Sequence, residues 1–194
     1  MKHRVAITEW PASADRLTLA QLSRLSAIDV SDLSRYRSGD KRMSANTRER
    51  IETVSLIDPA GYLATRTVPT YSQVAIVMKK ESSSDVTWVL RVLSRAMQEA
   101  SDLEDPADVR AFHARPPKTG SFAWDALLAA AAEMTWQALM PDEPEPQWMQ
   151  GGRPLSTWWS PVDYGARRGW AYLRTPINLR SRGIVLNAGE LETV

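Results

Sequence analysis

Between Arg35 and Arg50 six basic side chains (Arg35, Arg37, Lys41, Arg42, Arg48 and Arg50) stand against two acids, Asp40 and Glu49. A second cluster, Arg167, Arg168, Arg174, Arg180 and Arg182, has no acid anywhere between Gly165 and Arg182. Cations at this density suit polyanions or acidic partners, because they can make charge-assisted hydrogen bonds to phosphate or carboxylate. The formal charge of +1 conceals this, since the compensating acids collect in Glu99–Asp108 and Asp142–Glu145. Catalytic chemistry finds little footing. His3 and His113 lie in different regions and neither has a second histidine at metal-ligand spacing. His113, near the end of an expected helix, reads as a satisfied core or surface histidine. Glu99, Asp102, Glu104, Asp105 and Asp108 read as a solvated acidic turn rather than an acid–base pair. There is no glycine-rich phosphate loop and no nucleophile elbow, and Gly151-Gly152 sits among prolines. No catalytic residue, metal site or cofactor is expected.

With 194 residues, 43% apolar and 24% charged, the chain has room for one or two domains with proper cores. The absence of cysteine excludes disulfides, thiolate metal sites and cysteine nucleophiles, and is compatible with a reducing compartment. No apolar run is long enough to span a bilayer and no signal-peptide core is apparent. The expectation is a cytoplasmic protein with no membrane partner.

The first basic cluster must be positioned by the stretch Leu17–Val54, which reads as three short helices. Thr18 with Gln21 is a capping box, followed by Leu19, Leu22 and Leu25 at helical spacing. Ala27-Ile28 breaks that helix. Asp29 is placed to cap a second, with Asp32 in its first turn and a staple between Ile28 and Leu33. Ser38-Gly39-Asp40 carries a glycine stop signal. Ser44 caps a third helix, with Ile51, Val54 and Ile57 as its inner face. Two helices joined by a tight turn and braced by a third make a helix-turn-helix.

This string resembles the Cro/Xre repressor family. Leu22, Ser23, Ala27, Ile28, Leu33 and Gly39 fall where that family places packing residues and its terminal glycine, although it normally has Ala at position 23 and Gly at position 27. The resemblance implies a double-stranded DNA operator as partner, with the second helix in the major groove. It puts Val30, Ser31, Ser34 and Arg35 on the reading face, with Asp29 at the cap. Arg35 suits a bidentate contact with guanine, and Val30 offers only an apolar contact such as a thymine methyl. Arg37, Lys41 and Arg42 would clamp phosphates, positioning rather than specifying. Asp32 is expected to turn away from the phosphates or toward Arg42. A homodimer would read an inverted repeat with half-sites about 10 bp apart or a multiple of that.

Beyond the motif, Ala12–Leu17 reads as the end of a helix, and Asp58-Pro59 with Gly61 punctuates the chain. Ala64–Val68 has some β character, while Thr70–Lys80 can form a helix with Val74, Val77 and Met78 inward. Ser82–Ser84 reads as a cap or a link before Val86, Val89, Leu90, Leu93, Met97 and Ala100, which keep helical spacing. Asp105-Pro106 opens another helix that ends by Pro116-Pro117, and Ser121 opens the next, through Leu139. Residues 141–154 form a proline-punctuated loop, and Ile184–Leu186 could make a short strand. The fold class expected is mainly α, with a helix-turn-helix domain over residues 1–66 and a helical C-terminal domain over residues 67–194.

The second half carries a further resemblance. PPKTGSFAWDALLAAAAEM (116–134), TWW (157–159) and TPINLRSRGIVL…LETV (175–194) look like a group of actinobacterial Xre-type proteins. Ser160–Tyr164 is more polar than that pattern. Members tend to sit beside nucleotidyltransferase-like toxins and are taken to be antitoxins, so the resemblance implies a cognate toxin as a second partner. Arg167, Arg168, Arg174, Arg180 and Arg182 admit three readings: a second DNA surface, a dock for an acidic partner, or a solvated face. Interleaved Trp170 and Tyr172 give the aromatic-plus-arginine composition of interface hot spots, which favours docking by a small margin. Trp158 and Trp159 read first as anchors of a small core. The expected function is sequence-specific transcriptional repression, in the form of an autoregulating antitoxin. The alternative is a stand-alone repressor such as a phage immunity repressor.

Overall fold

The computed structural model describes residues 9–150 and 154–192, so His3, Gly151-Gly152 and the final Thr193-Val194 lie outside the described residues. The described chain is mainly helical, as composition and capping signals suggest. It divides into two compact units that interleave in sequence, Met1–Gln73 with Glu104–Pro116, and Val74–Leu103 with Pro117–Val194. Relative to a linear division at residue 66, residues 67–73 and 104–116 join the N-terminal unit.

In the N-terminal unit a short 3-10 turn, Ala12–Arg16, stands where a helix end was expected. Helices α1 (Leu19–Ser26), α2 (Val30–Arg37) and α3 (Ala45–Val54) follow. The Thr18–Gln21 capping box is complete, satisfying two amide donors at the start of α1. Ser44 caps α3 by accepting from the Thr47 amide at 3.2 Å. Asp29 occupies the cap position of α2 but makes no side-chain cap bond. Gly39 follows the end of α2 with φ +82°, a left-handed position that suits a residue without Cβ. Leu22, Leu25, Leu33, Ile51, Val54 and Ile57 are all fully buried, so the three helices share one apolar centre. Asp32 pairs with Lys41 at 2.7 Å, not with Arg42.

Two further short helices complete this unit. In α4 (Tyr62–Thr65) the last carbonyls are held from outside, as Arg24 of α1 donates to the Leu63, Ala64 and Arg66 carbonyls at 2.9, 2.7 and 2.5 Å. The ambiguous stretch that follows resolves as irregular chain to Thr70 and then α5 (Tyr71–Glu81), with Val74 and Met78 buried and Val77 half-buried. Next comes α6 (Val86–Ser101), capped by Asp85 and not by the serine run. Asp105, with Pro106 at the first position, opens α7 (Pro106–Phe112). This helix packs on α3 and α4, which draws residues 104–116 into the N-terminal unit. The acidic turn is only partly solvated, because Glu99 and Asp108 are both buried. Asp108 accepts from the Leu63 amide at 3.3 Å, and burial pushes its pKa above the usual carboxylate range. His113 closes the unit against the Tyr71 and Phe112 rings, its Nδ1 2.8 Å from the Val109 carbonyl oxygen.

In the C-terminal unit α6 lies on α8 (Phe122–Leu139), capped by Ser121. The run Ala129–Ala132 is buried, which allows close helix approach. After the proline-rich loop come α9 (Arg168–Leu173) and α10 (Ile177–Arg180), the latter against α8. Ile184–Leu186 is buried but does not form a strand; a single parallel bridge joins Ile184 to Trp159. Landmarks distant in sequence meet here. Trp124 packs edge-on to Trp159 with centroids 5.1 Å apart, and Thr175 accepts from the Leu186 amide at 3.2 Å.

Two tests follow from this packing. Ala27, the C-cap of α1, sits in the left-handed region at φ 54°, which costs an L-residue about 1 kcal/mol or more. Ala27→Gly is expected to raise the unfolding free energy by about 0.5–1 kcal/mol in urea titrations, the gain being reduced by glycine's larger unfolded-state entropy. Burial lowers the His113 pKa from 6.5 to about 4, so protons bind the unfolded chain first. Stability should therefore be full above pH 6.5 and fall by up to about 3 kcal/mol as pH drops toward 4, and His113→Gln should flatten that slope.

Candidate nucleic-acid interface

The turn Ala27–Asp29 joins α1 to α2 and fixes which side of α2 looks outward. Leu33 and Tyr36 are buried, which leaves Asp29, Val30, Ser31, Ser34 and Arg35 on the exposed side. Val30, at 46% exposure, is an apolar residue held in solvent at the first position of the helix. Asp29 accepts the first backbone bond of α2 from the Leu33 amide, 3.0 Å, while its carboxylate makes no cap bond. The outward face therefore starts with one free carboxylate and one exposed valine, followed by hydroxyls and a guanidinium.

The basic residues around this face are not equivalent. Arg37 pairs with Asp15 at 3.0 Å, and Lys41 pairs with Asp32 while lying 5.2 Å from the centre of the Tyr36 ring. The hydrogen bond to Asp32 is the main cause that raises the Lys41 pKa, so its ammonium stays charged well above neutrality. Exposed pairs like these are weak and screened by salt, so another anion can displace the carboxylate at little cost. Among the described residues neither Arg35 nor Arg42 has an ion-pair partner, and both are exposed. Arg48 is engaged with Glu52 at 2.7 Å along α3.

Arg50 leaves the basic face altogether. It is buried, its Nε donates to the Arg115 carbonyl at 2.8 Å, and its terminal nitrogen donates to the Ser26 carbonyl at 3.1 Å. Burial lowers its pKa from the ordinary arginine value. Its role is to satisfy the carbonyl at the end of α1, immediately before the turn. No local signal marked this, because the residues it serves lie far from it in sequence.

The C-terminal arginines also separate. Arg182 is a correction to its expected surface role: it is buried, ion-paired to Glu133, and donates to the Met149 and Asn178 carbonyls at 2.5 and 3.0 Å. Arg180 is half-buried, lies 5.7 Å from the centre of the Tyr172 ring, and has an Nε with no hydrogen-bond partner among the described residues. Arg167, Arg168 and Arg174 are exposed; Arg168 donates to the Trp158 carbonyl at 2.9 Å and Arg174 stacks on Trp170 at 4.6 Å. Trp159 is half-buried and meets Trp124 edge-on, whereas Trp158 is 48% exposed and meets Tyr172 edge-on.

Among the described residues no group of three or more histidine, cysteine or carboxylate side chains could hold a metal ion, and no helix is long and apolar enough to cross a membrane. Comparison with protein-family models, with curated proteins and with solved structures found no match.

Sorting the arginines by burial is testable through stability alone. Arg182→Ala leaves half-buried Glu133 without its cation and the Met149 and Asn178 carbonyls without their donor, and is expected to cost about 2–4 kcal/mol in denaturant unfolding. Arg167→Ala should stay within about 0.5 kcal/mol of the parent. Equal effects of the two substitutions would refute the assignment.

Proposed function

We propose that this protein is a sequence-specific DNA-binding transcriptional repressor that reads its operator with the outer face of α2. The observation that carries the reading is the pairing of the α1–turn–α2 geometry with an outward α2 face of Val30, Ser31, Ser34 and Arg35. That face is small, mixed in chemistry and ends in an uncompensated guanidinium, which is what base edges in a major groove require. Arg37, Lys41 and Arg42 flank it at positions suited to phosphate contact, and the acids now paired to two of them would be exchanged for phosphate oxygens on binding. The likeness of Leu17–Val54 to the Cro/Xre family supports the same conclusion. The likeness of residues 116–194 to antitoxin-type relatives of that family supports the narrower form, an antitoxin that represses its own operon, with a toxin as protein partner.

The test is selection of duplex DNA from a random pool by the full chain, followed by titration of the enriched site at several salt concentrations. An enriched site is expected, with an affinity that falls steeply with salt through counterion release. Arg35→Ala should weaken that site by about 1–3 kcal/mol and relax one base position, while Lys41→Ala should weaken all duplexes alike and lower the salt slope. Failure to enrich any duplex over the random pool would defeat the proposal. A uniform loss for Arg35→Ala would move Arg35 into the phosphate-contacting class.

A further inference from the structure

The second exposed basic region differs in character from the first. Around α9 and α10 large apolar side chains stand in solvent: Leu173 is 75% exposed, Ile177 67%, and Trp158 and Trp170 about half. A shallow, open hollow of about 570 Å³ is lined here by Trp158, Arg168, Gly169, Tyr172 and Val185. Several large apolar side chains held in solvent among cations are uncommon on a solitary chain and mark an interaction site. Among the described residues none of Arg167, Arg168 and Arg174 has a carboxylate partner. Arg174 lies over the Trp170 ring at 4.6 Å and is exposed, a cation–π arrangement that still allows N–H donation to a carboxylate.

We propose that the outer face of α9 and α10 docks an acidic amphipathic protein segment. Its carboxylates would meet Arg167, Arg168 and Arg174, and its apolar side chains would cover Leu173, Ile177 and the hollow beside Trp158. Charge complementarity commits the occupant to an acidic one, since no acid lies between Gly165 and Arg182. Composition selects protein over nucleic acid. No lysine occurs after Lys118, and an Arg-, Trp- and Tyr-rich, Lys-free surface is that of a protein-interface core. The aliphatic groups of Leu173 and Ile177 gain nothing from a phosphate backbone but are buried by leucine-like side chains of an amphipathic helix. This inference does not depend on the DNA reading of α2.

The experiment is fluorescence anisotropy of the full chain with labelled synthetic helical peptides of about 18 residues, bearing glutamates on one face and leucines on the other. Counter-probes are the same peptides with lysine for glutamate and a single-stranded oligothymidylate. The acidic peptides should bind and the lysine versions should not. The double variant Leu173→Ser with Ile177→Ser, and separately Arg174→Gln, should each weaken binding about tenfold or more while keeping the parent melting temperature. Arg35→Ala should leave peptide binding unchanged, so loss of the operator function and loss of this surface are read separately. Absence of acidic-peptide binding, or binding indifferent to the three positions, overturns the proposal. So does competition by oligothymidylate for the same face, which makes it a nucleic-acid surface, or conversion of a dimer to a monomer by the double variant in sedimentation, which makes it a self-interface.

Discussion

The N-terminal unit depends on one buried guanidinium. A helix of eight residues leaves as many unsatisfied carbonyls at its end as a long one, and α1 ends inside the unit where water cannot serve them. Arg50 supplies the donor for Ser26 and, with the same fork, holds the Arg115 carbonyl at the far end of the segment that follows α7. Ser26 directly precedes left-handed Ala27, so the direction in which α2 leaves the turn is set beside this contact. Arg24 does similar work one turn earlier by gripping the end of α4. A buried cation is costly to desolvate and is tolerable only when acceptors converge on it, as they do on Arg50.

The C-terminal unit solves the same problem with Arg182. There the acceptors are Glu133 on α8, the Asn178 carbonyl on α10 and the Met149 carbonyl in the proline-rich loop. One planar side chain thus joins a long helix, a four-residue helix and a loop that has no regular structure of its own. The fork geometry explains why arginine and not lysine fills both positions: a point charge cannot address two or three acceptors in fixed directions.

Arginine therefore serves opposite ends in this molecule, and its sequence neighbourhood does not distinguish them. Arg48 and Arg50 are two residues apart, yet one is paired along a helix surface and the other is interior. Arg180 and Arg182 divide similarly. What remains outside after the interior has taken its share is a reduced but cleaner set: Arg35 and Arg42 beside α2, and Arg167, Arg168 and Arg174 around α9. Asp15 and Asp32 pair with Arg37 and Lys41 beside the first set, while among the described residues no carboxylate is ion-paired to the second.

The sequence by itself determined α1, α3, α7 and α8 and their starts. Thr18, Ser44, Asp105 and Ser121 act on amides within three residues, so their signals are complete in the local string. Which side of α2 faces outward was expected from the family resemblance, and the burial of Leu33 and Tyr36 leaves Val30, Ser31, Ser34 and Arg35 exposed. The tertiary structure decided everything that requires a partner distant along the chain. It took residues 104–116 into the N-terminal unit, buried Asp108 and Glu99 from an apparently solvated acidic turn, chose Lys41 over Arg42 for Asp32, and withdrew Arg50 and Arg182 from the surface. Burial and hydrogen-bond satisfaction are properties of three-dimensional neighbours, and a charged side chain looks the same in sequence whether its acceptors are water or carbonyls brought from elsewhere in the chain.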